Sequence, residues 1–310
     1  MHMSQNQRML RCIQTASKAV CLIFLFLLAC LFISPARNLV FWPFWPNAWR
    51  KMATVDIITI ENSEPPKNVT PLPHCPRALV KPLAREQIDV TLIKDYPRVK
   101  VAAKTGRLLD DQHLAFVPAL DFSEKLNLVW LLAVMAKSLS DAGVEFFMRG
   151  GSLLGAARHR GIIPWDDDID VAVNISDWTR VREALTCLKG YELGVAPNMH
   201  WKFKPAGKTF PFIDIFFYME NDHYMWAVTD YTRRTFTLRK EDVLPLRPAI
   251  FEGVSVLLPR RTELITKELY GYNSCQSRSL DHKSGNTFNK VISVPCSSLN
   301  YLYSMYNLGE

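Results

Sequence analysis

The sequence predicts an α/β domain, helices packed on a sheet, held at a membrane by an N-terminal anchor. Three observations predict it. Beyond about residue 107, helix-period and strand-like apolar segments alternate, with Gly and Pro between them. Residues 19–33 (AVCLIFLFLLACLFI) form an uninterrupted apolar run. From 37 to 106 prolines recur without sustained periodicity, which favours extended chain over helix. The reading is therefore a tail over 1–18, a transmembrane signal-anchor over 19–36, a Pro-rich stem over 37–106 and a globular domain over 107–310.

The anchor comes first along the chain. A spanning helix needs roughly 20 apolar residues, and Ala16, Ser17, Ser34 and Ala36 extend the run while Lys18 can snorkel. Phe41, Trp42, Phe44, Trp45 and Trp49 resemble an interfacial aromatic belt. Arg8, Arg11 and Lys18 precede the run with no acid among them, so the tail stays cytosolic and the bulk is lumenal. A cleaved signal peptide is the alternative reading of the same run, and the belt favours an anchor. In the stem, Asn68-Val-Thr70 is an accessible glycosylation sequon; Asn174-Ile-Ser176, directly after an acidic cluster, is expected to be masked by folding.

The net charge of +7 is carried mostly before residue 111. A polyanion-binding domain carries its charge on the folded part, so the distribution argues against a nucleic-acid partner. Cys75, Cys187, Cys275 and Cys296 would face an oxidising lumen, where two bridges are allowed, and their wide spacing fits no zinc pattern. The residues do not say which cysteines pair.

Within the domain, Asp121-Phe-Ser123 opens a helix carrying Leu126, Val129, Trp130, Val134 and Met135 at helical spacing, closed at Asp141-Ala-Gly143. A short strand over 144–148 leads into Arg149-Gly-Gly-Ser152, and 152–158 suits one or two helical turns. Strands are expected over 169–173, 210–218, 224–228 and 254–257. Ser176 is expected to cap a helix to 188, and a last helix over 263–270 ends at Gly271.

The chemistry concentrates between Arg149 and Asp170. Arg149-Gly-Gly-Ser-Leu-Leu-Gly-Ala-Ala-Arg158 places a Gly-Ser turn and helix start before Pro164-Trp-Asp-Asp-Asp-Ile-Asp170. Helix N-termini attract phosphate through unpaired N–H groups and the helix dipole. Clustered carboxylates attract a hard cation such as Mg²⁺ (or Mn²⁺). On a strand, residues two apart share a face, so Asp168 and Asp170 point together. Asp214, a lone charge in Phe212-Ile-Asp-Ile-Phe216, is costly to bury unless paired or metal-bound. If its strand lies beside Asp168–Val173 it supplies a third ligand; pairing with Lys202 or Lys204 is the alternative. Asp214 is also the candidate to take a proton from an acceptor hydroxyl. Asp166 and Asp167 are read as capping or orienting the loop, and His159 and His200 as structural or hydrogen-bonding rather than ligands. Relief of like-charge repulsion leads to the expectation that Asp214→Asn raises metal-free stability.

The segment Gly151-Ser-Leu-Leu-Gly-Ala-Ala-Arg-His-Arg-Gly-Ile-Ile-Pro-Trp-Asp-Asp-Asp-Ile-Asp170 strongly resembles the signature of the LicD family, which includes bacterial phosphocholine transferases, fukutin and fukutin-related protein. Phe212-Ile-Asp-Ile-Phe216, Phe251-Glu-Gly253, Pro259 and Tyr270-Gly271 extend the resemblance over roughly 121–271. It implies a nucleotidyltransferase-type mixed sheet with packed helices. Gly151 and Ser152 would meet donor phosphates, Arg158 would approach the donor's charge, and Asp168, Asp170 and Asp214 would hold Mg²⁺. The implied reaction moves a phospho-alcohol group, such as ribitol phosphate or phosphocholine, from a CDP-linked donor to a glycan in the Golgi or ER lumen. Homo- and hetero-oligomers are both open. Two rivals remain: a glycosyltransferase using Asp168-Ile-Asp170 as its metal motif, and a catalytically inactive lumenal scaffold.

Overall fold

The computed structural model describes residues 66–76, 78–96, 110–233, 235–271 and 273–306. They belong to one compact unit, Ser63–Glu310. The tail, the anchor run and the interfacial aromatics lie outside the described residues, among which no helix is long and apolar enough to cross a membrane.

The architecture is mixed α/β. Helix α1 (Phe122–Asp141) starts at Asp121, whose carboxylate accepts from Glu124 N while the Glu124 side chain accepts from Asp121 N. This capping box satisfies two orphan donors. Leu128, Leu131, Leu132, Met135 and Leu139 form its buried stripe, and the helix packs on the sheet and on α3. Strand β1 (Phe146–Met148) then leads into α2 (Gly150–Arg158), β2 (Ile169–Asn174), α3 (Trp178–Thr186), β3 (Tyr191–Gly194), β4 (His200–Pro205), β5 (Ile213–Glu220), β6 (Tyr224–Ala227) and β7 (Thr237–Arg239). A hairpin of β8 (Arg247–Phe251) and β9 (Val254–Leu258) and helix α4 (Thr262–Tyr270) follow. Gly271, at φ 68, stops α4 as its position predicts.

The main sheet has seven strands in the order β1-β2-β5-β4-β3, with β6 on β5 and β7 on β6. β2 and β5 are parallel and the other pairs antiparallel. Ile213, Ile215 and Phe217 of β5, Val171 and Val173 of β2, and Trp201 and Phe203 of β4 are fully buried. The β3–β4 hairpin was not anticipated, because its Lys-rich residues lack an apolar run. Asn174, rather than Ser176, caps the turn before α3 by accepting from Ser176 N at 2.9 Å.

A C-terminal module closes the domain: β10 (Ser274–Gln276) pairs with β13 (Ser293–Pro295), and β11 (Leu280–Asp281) with β12 (Asn286–Thr287). It shares a small core with α2 and the signature loop, in which Phe116, Leu154, Trp165, Leu299 and Tyr303 meet. The Trp165 indole N–H donates to Gln276 O at 2.8 Å, which pins the loop carrying the acids.

The cysteines pair as Cys75–Cys187 and Cys275–Cys296. The first ties part of the segment read as stem to the domain. Val80 lies alongside Leu188 there, with its N–H donating to Cys187 O and its carbonyl accepting from Lys189 N. The described part of 37–106 is therefore packed against the unit rather than a free spacer. The 112-residue separation closed by this bridge restricts the unfolded chain strongly. Replacing Cys75 and Cys187 by Ser should cost about 2–5 kcal/mol, measured as a lower midpoint in denaturant.

Candidate functional site

Strand register builds the site. Asp170 of β2 stands opposite Asp214 of β5, and Asp214 stands opposite Lys202 of β4. Residues paired across strands share a face, so the sheet presents a row of acid, acid, base. Asp168 directly precedes β2. Asp168, Asp170 and Asp214 each bring a carboxylate oxygen into a cluster whose atoms all lie within 4.8 Å of one another. The three residues proposed as metal ligands thus converge. An octahedral Mg²⁺ at about 2.1 Å from each oxygen spans roughly 4 Å between opposite ligands, so small side-chain movements would close the set.

Helix α2 begins against these acids. A Cβ on Gly150, at φ +56, would stand 2.5 Å from Asp170 Oδ2, and one on Gly151 would stand 2.7 Å from Asp166 Oδ2. Glycine is required there by the closeness of the carboxylates as well as by the turn. Ser152 Oγ accepts from Asp170 N at 2.9 Å, locking the helix start onto β2. Arg158 has a different setting: it is buried, its Nε donates to His159 Nε2 and its Nη1 to Cys296 Sγ, and it borders a cleft of about 400 Å³ shared with Asp166, Trp165, Arg278 and His282.

The electrostatics fit a cation-binding cluster. Burial, followed by repulsion from Asp170 and then Asp167, pushes Asp166 up to about 6. Burial also pushes Asp170 up to about 6 against the pull of Arg149. Asp168 is raised well above the ordinary carboxylate value by burial and then by Asp170. Asp214 differs: burial would raise it, but the His200 hydrogen bond and the Lys202 charge hold it below the usual value. His200 Nε2 lies 2.8 Å and Lys202 Nζ 2.7 Å from Asp214 Oδ1. A carboxylate stabilised in this way is a poor proton acceptor, so Asp214 suits a ligand's role better than a base's. The Lys202 pairing is present as well; Lys204 pairs with Glu192 instead.

Carboxylates with raised folded values favour folding most when protonated. In metal-free protein their contribution is therefore full below about pH 4 and lost as pH rises through about 6. The melting temperature without divalent cation should fall across that window, and Mg²⁺ at pH 7 should restore it. A flat profile in calorimetry would show that neither burial nor mutual repulsion raises these acids.

His200 hydrogen-bonds as the sequence reading expects, whereas Tyr231 and His282 escaped it. His200 also takes Tyr231 Oη at Nδ1, 2.5 Å away, and so joins an exposed phenol to Asp214. His282 donates its backbone N–H to Asp167 and places Nδ1 2.8 Å from Asp167 Oδ1 and Nε2 3.2 Å from Asp168 Oδ2. Burial would lower the His282 value, but the Asp167 bond and charge outweigh it and raise it. Asp167, nearly fully buried, orients the loop as expected, and its partners lie over a hundred residues away. Only the presence of histidines signalled either role.

Comparison with known proteins agrees with this geometry. Residues 143–261 match the family model described as LicD/FKTN/FKRP, nucleotidyltransferase domain. The chain is 32% identical over 138 residues to the ribitol 5-phosphate transferase FKRP of Mus musculus, covering 39% of this chain and 26% of that protein. It is 49% identical over 37 residues to the lipopolysaccharide cholinephosphotransferase LicD of Haemophilus influenzae, covering 12% of this chain and 14% of that protein. An uncharacterized protein of Rickettsia typhi is 30% identical over 140 residues, 44% of each chain. The chain thus spans less than half the length of these relatives. The glycine-started helix, the converging acids and these matches coincide on one stretch of sequence, and residues 143–261 form a LicD-type nucleotidyltransferase domain with fukutin-like relatives.

Proposed function

We propose that this domain transfers a phospho-alcohol group, such as ribitol phosphate or phosphocholine, from a CDP-linked donor to a glycan hydroxyl in protein glycosylation, releasing CMP. The observation that carries the reading is the convergence of Asp168, Asp170 and Asp214 at the N-terminus of α2, inside the LicD domain. Relatives named as ribitol 5-phosphate and choline phosphate transferases support the group transferred.

Asp168, Asp170 and Asp214 would hold Mg²⁺ (or Mn²⁺), which when bound neutralises charge on a phosphoryl group. The α2 start at Gly151 and Ser152 would receive donor phosphate oxygens on backbone N–H groups. Lys202, paired with Asp214 and 41% exposed at its side chain, is placed to meet charge arriving from solvent. Arg158 would border the bound donor across the cleft. Incubation of the full chain with CDP-ribitol, CDP-choline or CDP-glycerol and glycan acceptors should release CMP only with Mg²⁺. Release of UDP or GDP from a sugar nucleotide would replace this reading with the glycosyltransferase; no nucleotide binding would leave the scaffold.

We place the domain in the Golgi or ER lumen behind the apolar run as a single-pass anchor. Two formed disulfides fit an oxidising compartment. Asn68 is exposed in a turn, whereas Asn174 spends its carbonyl on a helix cap. Endoglycosidase should shift the mobility of wild type and leave Asn68→Gln unshifted. Identical mobility of the two untreated proteins would place the segment outside the glycosylating lumen.

A further inference from the structure

Arg149 has more hydrogen-bonding capacity than the fold uses. It is 6% exposed, and its Nε and Nη1 are buried without a partner among the described residues. Its guanidinium carbon lies 3.9 Å from the Phe216 ring centroid and 5.0 Å from that of Phe236, so aromatic rings hold its flat faces. The carboxylates that act on its charge are Asp170 and, more weakly, Asp214. It therefore sits at the acid row, on the face of β5 that carries Asp214 and Phe216.

A guanidinium kept only as a counter-charge would be expected to bond a carboxylate oxygen, as Lys125 does with Glu252 at 2.8 Å. Arg149 makes no such ion pair among the described residues, although Asp170 is one strand away and its backbone carbonyl accepts from Arg149 N at 3.2 Å. Leaving buried donors unmade costs stability, and a cost retained beside a phosphate-binding helix start points to a ligand that repays it. Guanidinium donors match phosphate oxygens in geometry and charge.

We propose that Arg149 is a substrate-binding residue whose unmade N–H groups donate to phosphate oxygens of a nucleoside diphosphate held at the acid cluster. The inference rests on the phosphotransfer reading and adds to it the residue that grips the diphosphate.

The test is calorimetry on the full chain with CDP and, separately, inorganic pyrophosphate, both with Mg²⁺, using wild type, Arg149→Met and Arg149→Lys. Arg149→Met should weaken both probes by about ten- to a hundredfold, the range for hydrogen bonds to charged groups. Arg149→Lys should recover part of the loss by restoring charge without the planar donors. Mg²⁺ affinity measured alone should not weaken, because the positive charge that competes with the metal beside Asp170 has been removed. CDP and pyrophosphate binding equal to wild type in Arg149→Met overturns the proposal. So does a loss accompanied by weaker Mg²⁺ binding and a lower melting temperature, which marks a structural arginine. If wild type binds neither probe, the phosphotransfer reading itself fails and this inference with it. Arg149-dependent binding of pyrophosphate without binding of CDP keeps the inference and removes cytidine from the reading.

Discussion

Replacing Asp170 by Asn should lower Mg²⁺-dependent CMP release by a factor on the order of a thousand, the scale seen when one preorganised charge-stabilising group is removed from an active site. The same change should raise the melting temperature of the metal-free protein. Asp170 is half-buried beside Asp168 and Asp214, and the neutral amide removes a charge that the fold holds at a raised proton affinity. Asp168→Asn should behave likewise, since its carboxyl is displaced in the same direction by the same causes. Asp214→Asn should lose activity but lower the metal-free melting temperature. Its carboxylate already accepts from His200 and Lys202, so the amide strips the charge from two hydrogen bonds, a loss that outweighs the relief of repulsion with Asp168 and Asp170. This reverses the sequence expectation, which counted acids without their basic partners. Asp166→Asn should be milder in activity, because its oxygen is not among the three that converge. Turnover, Mg²⁺ affinity and melting temperature on all four variants check the set; retention of wild-type turnover by Asp170→Asn would remove the metal-centre reading.

Glu252→Ala should destabilise the domain by about 3–5 kcal/mol, the cost of stranding the other half of a buried ion pair. The Glu252 side chain is fully buried, with Oε1 2.8 Å from Lys125 Nζ. It also accepts from Lys94 N at 2.9 Å and Ile162 N at 3.0 Å. One carboxylate therefore joins α1, the segment around Lys94, and the loop leading to Pro164-Trp165. Lys125 spends a further bond on Lys94 O at 2.7 Å. Gly161 has no room for a side chain, since a Cβ would stand 2.2 Å from Glu252 Oε1. With a compact unit this size, the loss corresponds to a fall in melting temperature on the order of 10 °C. Adding Lys125→Met should recover only part of it, because Lys94 N and Ile162 N stay buried and unpaired. Full recovery in the double variant would mean that the charge pair, not the backbone clamp, carries the energy. Activity should fall with stability, since the clamp holds the loop from which the acids emerge.

Local information was sufficient for several elements. The opening of α1 at Asp121, the glycine that stops α4 and the strands around Asp170 and Asp214 follow from signals within a few residues, and the structure realises them with ends shifted by at most three positions. The Gly-Gly-Ser turn and the acids were legible for the same reason. Their chemistry depends on residue types at short spacing, and alternation along a strand fixes which acids share a face. Asp214 could be singled out because a lone acid among large apolar residues is costly wherever the strand lies.

What the sequence could not supply was partners far along the chain. The neighbour of β5 is chosen by register, and that register sets Lys202 opposite Asp214 and turns a bare acid cluster into an acid row ending in a base. The β3–β4 hairpin behind it has charged residues where an apolar run was sought, because its packing rests on the few buried aromatics Tyr191, Trp201 and Phe203. His282 and Arg278 reach the acids only because the Cys275–Cys296 module folds back onto Trp165. Local patterns thus determined which residues can do chemistry here, whereas the choice of those that meet fell to tertiary packing, because a side chain's charge is balanced by whatever the fold places next to it and not by its neighbours in sequence.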